Sequence, residues 1–116
     1  MKYALPVKDK SLDAEVDDRF ARAAFFVIYD SDTEEAEFFE NEGTQAHGAG
    51  PKMVETLASK GAEVLIAKNV GQNAFSALKQ VGMKVLIAKE GTARENIESA
   101  MNGDLSALET PGPSHG

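Results

Sequence analysis

Residues 61–68 read GAEVLIAK, and residues 82–89 read GMKVLIAK. The two phrases lie 21 positions apart and share glycine, a continuous apolar run and a closing lysine. Val64-Leu65-Ile66-Ala67 and Val85-Leu86-Ile87-Ala88 are short and uninterrupted, the mark of strands covered on both faces. Between them Ala74, Phe75, Leu78 and Val81 recur at helical spacing, and Gly61 and Gly82 suit helix C-terminal stops. The repeat is therefore a twin βα unit, with parallel strands and a right-handed crossover. Two copies are too few for a solenoid.

Upstream, Gly48-Ala49-Gly50-Pro51 breaks the chain and opens a helix, with Pro51 in the first turn and Met53, Val54, Leu57 and Ala58 on one face. Downstream, Thr92-Ala93-Arg94-Glu95 spells a capping box. It starts a helix with Ile97, Ala100 and Met101 inward and Gly103 at its end.

The first forty residues are built differently. KYALPV at 2–7 reads as a strand, with Pro6 near its end because proline cannot donate to a ladder. Residues 8–19 are charged and loop-like. Ala23–Tyr29 is β-branched and aromatic and reads as a strong strand. Asp30-Ser31-Asp32 is turn chemistry, and Glu35–Glu40 returns as the acidic edge arm of a hairpin. The expectation is an α/β domain: a mixed sheet with the hairpin supplying its antiparallel part and helices on both faces. It spans residues 1–108, followed by a disordered tail at 109–116.

At 116 residues the chain fits one domain. It has no cysteine, which removes disulfides, thiolate nucleophiles and thiolate-held metals. No stretch is long and apolar enough to span a bilayer. Met1–Val7 is followed at once by Lys8 and Asp9, unlike a secretory leader, so a cytoplasmic protein is expected. The net charge is −7. Residues 9–42 hold twelve acidic and three basic side chains, leaving the remainder slightly positive. Such a chain disfavours nucleic acid.

Two places carry candidate chemistry. Lys8, Lys68 and Lys89 each follow an apolar strand. If those strands are parallel, the lysines share the carboxyl-end rim, where open α/β sheets hold ligands. The loops beyond them, with Asn69, Gly71 and Asn73 in one and Gly91-Thr92 in the other, lead to helix N-termini that favour anions. A lysine is equally an ordinary way for a strand to leave a core. The second place is Gln45-Ala46-His47-Gly48-Ala49-Gly50-Pro51-Lys52. There Gly48 and Gly50 admit close approach to the backbone, His47 can bind a metal or donate a hydrogen bond, and Lys52 adds charge. An ordinary glycine-rich loop reads the same way, and the pattern is neither a Walker loop nor a dinucleotide fingerprint. Asp17-Asp18 and Glu34-Glu35 are read as solvated carboxylates. No catalytic arrangement emerges, so a non-enzyme is expected.

KYALPV, RFARAAFFVIYD, the long stretch QAHGAGPKMVETLASKGAEVLIAKNVGQNAFSALKQVGMKV and the last helix together resemble the dinitrogenase iron–molybdenum cofactor biosynthesis family, the NifX-type domain. The HGAGP loop and G-x-N-A-F are the most specific parts. Where members often carry His-Phe-Gly, this chain has Arg19-Phe20-Ala21. The resemblance implies a three-layer α/β/α, ribonuclease H-like fold with a five-stranded mixed sheet and one antiparallel strand. It also implies a small non-catalytic carrier of an anionic iron–sulfur or iron–molybdenum cluster, bound as cargo and passed to a cofactor-assembly or acceptor protein. Lys8, Lys68 and Lys89 beside His47 would suit such an anion. The residues alone leave two other readings open: a module for a phosphate-bearing metabolite or nucleotide, and an acidic protein-interaction domain.

Overall fold

The computed structural model describes residues 1–41 and 49–110. The elements run β1 (Lys2–Val7), β2 (Phe25–Asp30), β3 (Glu35–Glu40), α1 (Ala49–Ser59), β4 (Val64–Ala67), α2 (Gln72–Val81), β5 (Lys84–Ile87) and α3 (Ala93–Met101). The strands form one sheet in the order β3-β2-β1-β4-β5. β1, β4 and β5 pair in parallel, and β2 lies antiparallel between β1 and β3. The expected mixed sheet with one antiparallel strand is thus present, and both halves of the twin βα unit take their expected places.

Two apolar layers enclose the sheet. On one face Val54 and Leu57 of α1, with Ala74, Phe75 and Leu78 of α2, pack against Ala4, Phe26 and Leu65. On the other, Ala93 and Ile97 of α3 pack with Val16 against Leu5, Val27 and Ile66. Phe20 is fully buried and meets Phe26 edge to face at 5.6 Å between ring centres, so the loop after β1 is anchored in the first layer.

β1 parts from β4 early. Only Tyr3 and Ala4 pair with Val64 and Leu65. Lys2 O accepts from Glu63 N–H, so the even-numbered residues of β1 face β4, and Pro6 has no N–H to offer there. The backbone of 15–17 takes the vacated place. Asp17 N–H donates to Pro6 O at 2.9 Å, Lys8 N–H to Glu15 O at 3.0 Å, and Val7 bridges Val16.

Some expectations need correction. β4 is buried throughout, but Lys84 and Ile87 of β5 are exposed because β5 lies at the side of the sheet. Val81 is 47% and Met101 48% exposed, not inward. In each case a residue just past the helix takes the buried position. Met83 does so after the left-handed turn at Gly82, and Leu105 does so after Gly103. Residues 105–108 then run along β5, with Ile87 N–H on Ser106 O at 2.8 Å and Leu108 N–H on Val85 O at 2.9 Å. This pairing was not anticipated. Residues 111–116 of the expected tail lie outside the described residues.

Gly50 sits where α1 crosses α2. A Cβ there would lie 2.9 Å from the Ala74 Cβ, closer than packed carbons tolerate. We expect Gly50→Ala to lower stability by about 1–3 kcal/mol through overpacking, read as a depressed Tm. The Gly50→Ala/Ala74→Gly pair should recover part of that loss.

Candidate functional site

The carboxyl ends of β1, β4 and β5 lie on one side of the sheet, β4 and β5 as paired neighbours and β1 beyond the inserted backbone of 15–17. Lys8 and Lys68 leave β1 and β4 directly, and Lys89 follows β5 by two residues. The three strand exits therefore share one rim. The chain's connections also diverge here, from β1 toward β2 and from β4 toward β5, which is the switch point that makes a crevice in such sheets.

The lysines differ in their surroundings. Lys68 is the most enclosed, its side chain 17% exposed, with Nζ 2.8 Å from Asp18 and 3.0 Å from Glu90. It ties the loop after β1 to the loop after β5 across the end of β4. Lys8 stands 3.9 Å from Glu15 and is half exposed. Lys89 is exposed, and the structure records contacts only for its backbone: its N–H donates to Asn96 Oδ1 at 2.8 Å, and its C=O accepts from Asn96 Nδ2 at 3.1 Å. Asn96 is buried and donates also to Thr92 O, so one side chain fixes the whole β5–α3 loop.

The two helix N-termini on this rim are not equivalent. That of α3 is filled. Ala93 and Arg94 N–H donate to Ala14 O and Leu12 O, and Asn96 N–H donates to Thr92 O. Thr92 and Glu95 complete the expected capping box. Gly91-Thr92 therefore leaves no donor for an anion. α2 begins at Gly71, which is buried and extended, and no side chain caps it. Among the described residues no partner is recorded for its first-turn N–H groups, the donors that a helix start leaves over, and Asn73 is exposed beside them.

Of the remaining candidates, Gly50 lies against Ala74 in that same first turn of α2. It is spent on helix packing. Lys52 is exposed on α1, and Asn69 is half-buried behind Lys68. His47 and Gly48 lie outside the described residues. Asp17, read from sequence as solvated, is buried and accepts from Arg19 N, Nε and Nη2 at 3.0, 3.2 and 3.3 Å. Among the described residues no group of three His, Asp or Glu could hold a metal ion. No helix among them is long and apolar enough to cross a membrane.

The donor set suits an anion held through charge and N–H contacts. Direct coordination of iron by several protein ligands does not fit it, since the chain has no cysteine and two histidines. Sequence reasoning missed Asp18, Glu90 and Asn96. Asp18 lies fifty positions from Lys68, and no spacing rule links them.

The family profile described as dinitrogenase iron–molybdenum cofactor matches residues 1–103, and the chain belongs to that family. Its fold has close counterparts among solved structures. The apo form of the orange protein from Desulfovibrio gigas superposes with a TM-score of 0.90 at 37% identity, covering 96% of this chain and 95% of that one. A NifB-like protein from Thermotoga gives 0.85 at 47% identity, with 96% of each chain covered. An uncharacterized protein of Methanocaldococcus jannaschii is 30% identical over 113 residues, spanning 94% of this chain and 92% of its own length.

Two outcomes test the rim. The hydrogen bond from Lys68 holds the Asp18 carboxyl below its usual range, and Asp18 in turn, chiefly through the same bond, raises the Lys68 ammonium. A lowered acid keeps its contribution above its unfolded value and loses it as pH falls through the folded one. A raised lysine keeps its contribution until pH climbs past its ordinary range. The pair should therefore stay closed from about pH 5 to 9 and open only once pH has fallen well below the ordinary carboxylate value of about 4. In an NMR titration the Asp18 midpoint should return to the ordinary range in Lys68→Gln. Separately, Asn96→Ala should cost about 1–3 kcal/mol, since it leaves buried backbone groups unpaired, and should speed amide exchange at Lys89.

Proposed function

We propose that this protein is a non-catalytic carrier that holds an anionic iron–sulfur or iron–molybdenum cluster as releasable cargo at the carboxyl rim of the sheet. Family membership supports a role in cofactor handling. The observation that carries the reading is the uncapped N-terminus of α2, opening beside Lys68 where three parallel strands end in lysines. Backbone N–H groups and the helix dipole attract negative charge. Lys8, Lys68 and Lys89 add positive charge, and His47, from the loop that enters α1, supplies an imidazole. Contacts of this kind release an anion more readily than several thiolates would. A cofactor-assembly or acceptor protein in the cytoplasm then receives the cargo.

Lys68 is satisfied in the absence of cargo by Asp18 and Glu90. An arriving anion must compete with both carboxylates, and a departing one is replaced by them. That exchange lowers the net cost of release. Asn69, Gly71 and Asn73 would position the mouth of the helix, with Gly48, Gly50 and Lys52 as the further residues assigned to the pocket.

The test is anaerobic purification with iron and molybdenum analysis and visible spectra. Wild type should carry metal and a charge-transfer band, diminished in Lys68→Gln and in His47→Ala. Asp18→Asn with Glu90→Gln should retain the cluster more tightly, by about two- to fivefold in release rate, the range for exposed charge pairs. Colourless, metal-free protein after reconstitution with an iron–sulfur cofactor would defeat the carrier reading. The same rim would then be assayed with phosphate compounds and nucleotides, which the α2 N-terminus would also attract.

A further inference from the structure

A second surface lies on the other side of the molecule, at β3. The free side of β5 is paired by residues 105–108, so among the described residues β3 is the open edge of the sheet. Asn41 N–H donates to Ala24 O. The register continues that alternation through Phe26↔Phe39 and Ile28↔Glu37. The N–H and C=O groups of Ala36, Phe38 and Glu40 therefore face away from β2.

The two faces of this edge differ in chemistry. Ala36 and Phe38 lie with Phe25 and Tyr29 in the layer of α3, and all four are only partly buried. Glu35 and Glu37 point to the other face. There a groove of about 250 Å3 is lined by Lys2, Ile28, Asp30, Glu35, Glu37 and Lys60. Lys60 binds Glu37 at 2.8 Å, whereas Glu35 is exposed and the structure records no side-chain partner for it among the described residues.

We infer that β3 is a docking edge for a basic, strand-forming segment of another protein, which adds to the sheet with its residues alternating between apolar and Lys or Arg. Main-chain hydrogen bonds to Ala36, Phe38 and Glu40 supply the ladder, and alternate side chains supply specificity. The apolar set covers Phe38, Phe25 and Tyr29. The basic set reaches Glu35 at the mouth of the groove, whose inner Glu37 is already held by Lys60. Charge favours this partner, because Glu35 gains a cation from it, whereas two antiparallel β3 strands centred on Ala36 would set Glu35 of each copy opposite Glu37 of the other, and like charges directly opposite destabilise a sheet. The edge is separate from the lysine rim and keeps this role whatever the rim holds.

The probe is a synthetic peptide of alternating lysine and valine, titrated into the full chain in about 0.15 M salt so that long-range attraction is screened. The readouts are amide shifts and exchange. Binding should slow exchange at the Ala36, Phe38 and Glu40 amides. A peptide of equal composition with its lysines and valines in two blocks should bind more weakly, and an alternating glutamate–valine peptide should not bind. Glu35→Gln should weaken binding by about two- to fivefold, the range for an exposed charge pair. Ala36→Pro removes an outward N–H at an edge, where proline is tolerated, and should abolish the protection. If Ala36→Pro does not fold, Glu35→Gln and the block peptide decide the outcome. Equal binding of the block peptide, shifts confined to residues 68–73, or concentration-dependent dimers of the free protein that protect the same three amides would each overturn the inference.

Discussion

The site depends on a hydrogen bond that Pro6 cannot make. In an all-parallel pairing β1 and β4 would stay together to their ends, and the rim between them would be a plain strand terminus. Pro6 faces β4 without an N–H, the ladder stops after Ala4, and the backbone of 15–17 enters beside β1. That single absence brings Val16 into the core, delivers Ala14 and Leu12 carbonyls to the first turn of α3, and carries Asp18 to Lys68. The acidic loop after β1 is thereby built into the rim.

The rim is consequently asymmetric. α3 spends its N-terminal donors on the protein itself, through Leu12, Ala14, Thr92 and Glu95. α2 has a glycine at its start and no side-chain cap. Two helices from one repeated unit thus begin differently, one with its first-turn donors spent and one without a side-chain cap. Asp18 and Glu90 offset the charge of Lys68 at the rim. This differs from the uniformly basic edge that three lysines in sequence suggest.

What the sequence made legible was local. The repeat of GAEVLIAK and GMKVLIAK, the hairpin with its Asp30-Ser31-Asp32 turn and the Thr92–Glu95 capping box depend on neighbours within a few residues, and all three formed as read. The lysines were visible because each follows an apolar run. The rest depended on distant partners. Asp17 looked solvated until Arg19 and Pro6 enclosed it. Gly50 looked like room for a ligand until Ala74 filled it. Val81 and Met101 keep helical spacing, yet sit past the point where the sheet can cover them. Helical periodicity reports a face and cannot report where the opposing layer ends.

The pairing of residues 105–108 along β5 has a further meaning. A sheet with two free sides can grow from both, and successive additions lead to a filament. Here one side is closed by the chain's own segment and the other is bounded by glutamates. Among the described residues, growth of the sheet is thereby confined to its β3 side.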